Sequence, residues 1–232
     1  MDFESFVLAA STADLGEEPA AREHADAIEF RMDLAEEPLA ALADYDGELP
    51  ILATNRAAWE GGEAEDDERR LDTLCTACEY EAVEAVDVEL AAVADEDARF
   101  VLDRASDHGV ATVVSAHDFD GTPPAPELRQ LLDQACRHGD VGKLAVTAAD
   151  EDDVLELLAA TRASTKGGDA VATMSMGEVG RHSRAVAPVY GSKIGYAPVD
   201  PADATAPGQY DLATLRRLVT TLSSDETGET QG

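Results

Sequence analysis

Apolar residues recur along this chain in two alternating rhythms. Short runs rich in branched side chains read as buried strands: Phe6–Ala10, Ala27–Phe30, Pro50–Thr54, Ala85–Leu90, Thr112–His117, Gly142–Val146 and Ala170–Met174. Between them the apolar positions fall three and four residues apart, as on one face of a helix. Such stretches cover Pro19–Ala25, Leu39–Tyr45, Asp66–Tyr80, Ala98–His108, Pro126–His138, Asp150–Ala163 and Asp211–Leu222. Gly109 is placed to close the fourth of these, and the acidic start of the sixth suits a helix N-terminus. Val186–Tyr190 reads as an eighth strand.

Spread over eight units, 232 residues give about 29 per unit. Regular alternation of this kind argues for parallel strands, and its length suits a closed (β/α)8 TIM barrel of α/β class in a single domain. The barrel is expected over residues 1–222, with a polar, flexible tail over 223–232.

Charge changes the picture next. Forty-nine acidic against 17 basic residues give a formal charge of −32. Such a surface repels nucleic-acid phosphates and anionic membranes, so neither is expected as a partner. Disordered acidic chains are poor in apolar residues, whereas this one is 44% hydrophobic. A folded protein coated with carboxylates for a salt-rich cytoplasm is the expectation. No apolar run approaches membrane-spanning length, and the opening MDFESF lacks the features of a signal peptide.

Only Lys143, Lys166 and Lys193 are lysines. A chain so poor in lysine nevertheless keeps Lys143 within an apolar strand. In apolar surroundings an ammonium is disfavoured, and the free amine becomes a nucleophile toward carbonyls. His117, at the end of the preceding strand, can supply the general acid/base that imine chemistry needs. A snorkelling lysine and a hydrogen-bonded histidine are the plainer alternative. Glu29, Arg31 and Asp33 alternate onto one face of a strand end, as suits either a polar pocket mouth or a solvated edge. Asn55 and Arg56 are followed by Gly61 and Gly62, a pattern expected of a mobile loop over a site. Asp87 and Glu89 share a face of the fourth strand. All these positions lie in or just after strands, and in a barrel those ends share one face, where active sites form.

Other motifs fail on spacing. Gly139-x-x-Gly142-Lys143 lacks a glycine of a phosphate loop, and Leu144 stands where a hydroxyl should meet magnesium. No G-x-G-x-x-G follows the first strand. His117 and Asp118 point to opposite faces, which disfavours a serine triad with Ser115. No carboxylate pair stands out for sugar hydrolysis. Cys75 and Cys78 lie within one helical pattern with no partner pair; together with Cys136 they suit core packing better than a metal or redox role.

Six motifs stand in a telling order. They are Glu29-Phe30-Arg31-Met32-Asp33, Thr54-Asn55-Arg56 with Glu60-Gly61-Gly62, Ser115-Ala116-His117-Asp118-Phe119, Gly142-Lys143-Leu144-Ala145, Met174-Ser175-Met176-Gly177 with Ser183-Arg184, and Ala206-Pro207-Gly208-Gln209. The set resembles the type I 3-dehydroquinate dehydratases of the shikimate pathway, from the second strand almost to the last helix. That resemblance implies a (β/α)8 barrel dehydrating 3-dehydroquinate without cofactor or metal. Lys143 would form the Schiff base, His117 would shuttle the proton, and Glu60 would orient His117. Arg184 and Gln209 would hold the substrate carboxylate, with Glu29, Arg31 and Arg56 on the ring hydroxyls. Thr205 stands where the family commonly has serine, keeping the hydroxyl, and the acidic loop after Gly62 departs from the family pattern. The resemblance implies a homodimer, and the lack of a signal peptide or membrane-spanning run leads to the expectation of a cytoplasmic protein. Two alternatives are a Schiff-base aldolase of the transaldolase type, which would not need the Arg184 and Gln209 clamp, and a non-catalytic acidic binding protein.

Overall fold

The computed structural model describes residues 1–94, 98–200, 202 and 208–223. Its eight strands are β1 (Val7–Thr12), β2 (Ala27–Arg31), β3 (Ile51–Thr54), β4 (Val83–Glu89), β5 (Ala111–Asp118), β6 (Val141–Thr147), β7 (Val171–Met176) and β8 (Ile194–Pro198). The helices are α1 (Glu18–Ala21), α2 (Pro38–Ala43), α3 (Asp67–Ala77), α4 (Leu90–Ala94), α5 (Arg99–His108), α6 (Ala125–His138), α7 (Glu151–Gly167), α8 (Gly177–Gly180), α9 (Ser183–Val186) and α10 (Leu212–Ser223). Every paired strand is parallel, in the order β7-β6-β5-β4-β3-β2-β1-β8. The Lys193 amide donates to Val171 O at 2.7 Å across the β7–β8 seam, and the Thr173 amide donates to Ser192 Oγ at 3.0 Å. These bonds draw the sheet into a nearly closed barrel, the (β/α)8 architecture expected.

Strand alternation divides the side chains into two sets. Outward residues such as Phe30, Val86, Val88, Leu144 and Val146 pack under the helices, while Val113, Val141, Leu52 and Tyr196 fill the barrel interior with Phe3. Helix α6 shows how the pattern works. Leu128, Leu132 and Ala135 fall on one face and are buried, the two leucines against Leu144 and Val146 of β6. Each such leucine contributes roughly 1.5–3 kcal/mol of burial. Arg137 and His138 in its last turn complement the helix dipole. The Asp150 side chain caps α7 by accepting from the Asp152 and Asp153 amides, and Gly109 at φ 69° ends α5. Cys78 packs in the core.

The eighth strand is a correction. Val186–Tyr190 is no strand: it runs from the end of α9 through a 3-10 turn at Ala187–Tyr190. Pro188 has no amide for a ladder, and Gly191 at φ 102° stops the turn. The true strand, Ile-Gly-Tyr-Ala-Pro, has weak strand propensity of its own. Its place is set by pairing with β1 from Val7↔Ile194 to Ser11↔Pro198. The short helices α4, α8 and α9 and the 3-10 turns were also not anticipated, being too short to show a helical period; the other differences are at boundaries, as where Leu90 begins α4 rather than ending β4. Of the tail expected over 223–232, everything after Ser223 lies outside the described residues.

Candidate active site

Strand β6 brings Lys143 to the barrel interior because its neighbours Gly142 and Leu144 face the helices. Its Cα pairs with Ser115 of β5, and His117 stands two residues further along β5, opposite Ala145. Strand spacing and rise separate the two Cα atoms by roughly 8 Å. Both side chains line one pocket of about 520 Å³, counting its mouth.

Lys143 is 4% exposed, yet its surroundings are not the apolar ones that the strand alone suggests. Its Nζ donates to Asp87 Oδ2 at 2.9 Å and lies 3.8 Å from Glu29 Oε1. The ring of Tyr196 lies 4.2 Å from the ammonium, within cation–π range. Asp87 is held on every side. Its Oδ1 accepts from Ser115 Oγ at 2.6 Å and from Arg56 Nη2 at 2.7 Å. Burial alone would raise this carboxyl, but Arg56 and Lys143 outweigh it and hold the group well below the usual range. A fixed carboxylate therefore sits under the lysine. Burial also pushes the Tyr196 phenol well above its ordinary value, with Glu29 and Asp87 adding to the effect.

His117 Nδ1 meets Glu60 Oε1 at 2.8 Å, which leaves Nε2 for whatever enters the pocket. Burial first, then Arg56 and Lys143, hold the imidazole well below its ordinary value, so it is neutral near pH 7. Burial pushes Glu60 up to about 8 against the pull of Arg56. The Phe119 ring stacks on His117 with centroids 6.0 Å apart.

Glu29, Arg31, Arg56, Arg184 and Gln209 also line the pocket. Glu29 accepts hydrogen bonds from Ser11 and, at 3.2 Å, from Thr54. Arg31 is gripped by Asp33 through two bonds of 2.9 and 2.7 Å; Asp33 belongs to the turn after β2 and is the arginine's partner, not a pocket wall. Arg56 is committed to Asp87, to Ser115 at 2.7 Å and to Glu89 at 3.0 Å. Burial lowers Arg184 to about 10. Four cationic side chains (Arg31, Arg56, Lys143, Arg184) and two carboxyl groups (Glu29, Glu60) line the pocket in a chain of net charge −32, and Asp33, Asp87 and Glu89 pair with the first three cations from behind that lining. The lining itself therefore presents more cationic than acidic side chains, which suits an anionic ligand. Thr205 lies outside the described residues. Among those residues, no group of acidic, histidine and cysteine side chains is arranged to hold a metal ion.

Sequence reasoning assigned no role to Asp87 and missed Tyr196. Two carboxylates alternating in the otherwise apolar run Ala85–Leu90 were a signal, since buried charges need buried partners. Tyr196 was hidden by the misplaced eighth strand.

Fold and site together define a barrel enzyme that sets an ion-paired lysine and a histidine bonded to a carboxyl group into one pocket. The sequence profile of the type I 3-dehydroquinase family matches residues 7–226. A 3-dehydroquinate dehydratase of Haloarcula marismortui is 64% identical over 228 residues, covering 97% of this chain and 100% of that protein. The crystal structure of the Geobacillus kaustophilus 3-dehydroquinate dehydratase superposes with a TM-score of 0.85 at 29% identity, covering 94% of this chain and 91% of that one. A Clostridium difficile type I 3-dehydroquinate dehydratase, crystallised with covalently modified comenic acid, gives 0.82 at 28% identity, covering 94% and 92%. The chain belongs to the type I 3-dehydroquinase family.

Proposed function

We propose that this enzyme dehydrates 3-dehydroquinate to 3-dehydroshikimate, in chorismate and aromatic amino-acid biosynthesis, through an imine on Lys143 and without a cofactor. The observation that carries the reading is the pair on adjacent strands: Lys143 on Asp87 and His117 on Glu60, facing one pocket. The family membership and the covalently modified compound in the Clostridium relative support it.

In the reaction, the Lys143 amine attacks the ring ketone. Net, ammonium and ketone become a protonated imine and one water. The iminium carries the same charge as the ammonium it replaces, so Asp87 is already placed to stabilise it. With the imine as electron sink, His117 takes a proton from the adjacent carbon and an enamine forms. The hydroxyl on the next carbon then leaves as water with the proton that His117 returns. A water hydrolyses the conjugated imine and frees Lys143, so one water is lost overall. Arg184 and Gln209 hold the substrate carboxylate, with Thr205 contributing its hydroxyl, and Glu29, Arg31 and Arg56 address the ring hydroxyls. The working unit is a homodimer.

The test is reduction with sodium borohydride in the presence of 3-dehydroquinate at high salt, followed by peptide mass mapping. An adduct on Lys143, with turnover in untreated protein and none in Lys143→Met, is the expected result. No adduct and no turnover would overturn the dehydratase, while an adduct without turnover would point to aldolase chemistry.

A further inference from the structure

Arg70 of α3 is only 2% exposed, yet it does not line the pocket. Burying a guanidinium is unfavourable unless charge and hydrogen bonds are returned to it. Here its Nη1 donates to Glu89 Oε2 at 2.7 Å and its Nε to Asp67 Oδ1 at 2.6 Å. Glu89, itself fully buried, gives its other oxygen to Arg56 Nη1 at 3.0 Å and to the Ala57 amide at 3.1 Å. Glu89 therefore grips the chain at the base of the turn Ala58–Glu60, and Arg70 grips Glu89.

Trp59 secures the same turn from outside. It is 52% exposed, which taken alone would mark an ordinary surface side chain. Both of its functional parts are nevertheless engaged with α3. Its Nε1 donates to the two oxygens of Asp67 at 3.1 Å each, and its ring lies 5.7 Å from the Arg70 guanidinium. Glu60 is the next residue, and its carboxyl group meets His117.

We propose that Trp59 and Arg70 are positioning residues for the Glu60–His117 pair, fastening the turn Ala58–Glu60 to α3 from outside and, through Glu89, from beneath. Neither residue touches substrate. A displaced turn carries Glu60 away from Nδ1 and leaves His117 without its orienting partner. The inference rests on the reading of His117 as the acid/base.

Trp59 is the single tryptophan of the chain, so its fluorescence reports on the contact directly. The experiment compares the full-length enzyme with Arg70→Met, Arg70→Lys, Trp59→Ala and Trp59→Phe, measuring kcat, KM, the pH profile and the borohydride adduct. Arg70→Met and Trp59→Ala are expected to lose roughly 10- to 100-fold in kcat, since small misplacements cost that much, with KM changed far less. The limb of the pH profile set by Glu60 and His117 moves with them. Arg70→Lys and Trp59→Phe recover part of the loss, and Trp59 emission shifts in Arg70→Met. The Lys143 adduct is expected still to form in every variant, because the proposed steps use His117 at the carbon proton and the leaving hydroxyl and none of the substitutions removes Lys143 or Asp87. Trp59→Ala removes a half-exposed side chain and buries no orphan charge, so it tests the idea even if Arg70→Met does not fold. Unchanged kcat, or a lower kcat with the pH profile unmoved, would overturn the positioning role. Absence of turnover and adduct in the unmodified enzyme would instead overturn the functional reading beneath it.

Discussion

Burial acts in opposite directions on the two members of the Glu60–His117 pair, raising the carboxyl to about 8 and lowering the imidazole well below its ordinary value. The consequence for catalysis can be worked out by following one proton. Below about 8, Glu60 holds its proton and donates to Nδ1, which leaves the ring hydrogen on Nε2 and no lone pair for the substrate. Above it, the carboxylate accepts from Nδ1–H and frees Nε2 to act as base. The value of kcat/KM is therefore expected to rise with pH and level off above about 8. Glu60→Gln, which does not titrate, should remove that limb and lower kcat by roughly 10²- to 10⁴-fold, the usual worth of general acid/base catalysis. A pH-rate profile of both proteins checks this, and an unchanged limb in the variant would refute it. At this scale much of the site was legible. Lys143 and His117 were visible because a lysine-poor chain placed one lysine in an apolar strand with a histidine on its neighbour. Asp87 under the lysine was not, since strand alternation gives the face of a residue but not its partner across the barrel.

Among the elements, the turn after β3 has the least room. A Cβ on Gly62 would stand 2.1 Å from the Arg56 carbonyl oxygen, inside the closed loop where the Gly62 amide donates to Ala57 O and the Ala64 amide donates to Arg56 O. Gly62→Ala must push the turn off its seat, at a cost of roughly 1–3 kcal/mol as in other overpacked sites. Thermal unfolding should show a lower Tm and kinetics a reduced kcat; a variant equal to the parent in both would show that the turn adapts. The glycines of this loop were conspicuous in the sequence, but as signs of mobility. Their packing against the Arg56 carbonyl and, for Gly61, the Phe119 ring required the fold. The eighth strand was illegible for a related reason. Val186–Tyr190 has the better strand composition, but Ile194–Pro198 has the edge of β1 to pair with.

Across the whole molecule, 49 acidic side chains on 232 residues repel one another unless salt screens them. The Debye length is about 10 Å at 0.1 M salt and about 3 Å at 1 M, so the repulsion is long-ranged only in dilute salt. Circular dichroism and sedimentation across a KCl series should show loss of structure toward 0.1 M. In 3 M KCl, a particle of twice the 24.5 kDa chain mass is expected, as proposed for a homodimer. Equal stability at both ends of the series would remove the salt argument, and a single-chain mass at high salt would remove the dimer.

The sequence by itself determined the layered α/β architecture, because helix and strand periodicities alternate along it and each periodicity dictates which face is buried. It also singled out Lys143 and His117, the pair on which the proposed chemistry rests, because residue types carry their reactivity with them. Only the tertiary structure decided where the eighth strand lies, which carboxylate sits beneath Lys143, and how Trp59 and Arg70 tie the turn holding Glu60 to α3. Those facts depend on residues far apart in the chain being brought within about 3 Å, a hydrogen-bond distance that strand register and barrel closure set and local pattern does not encode.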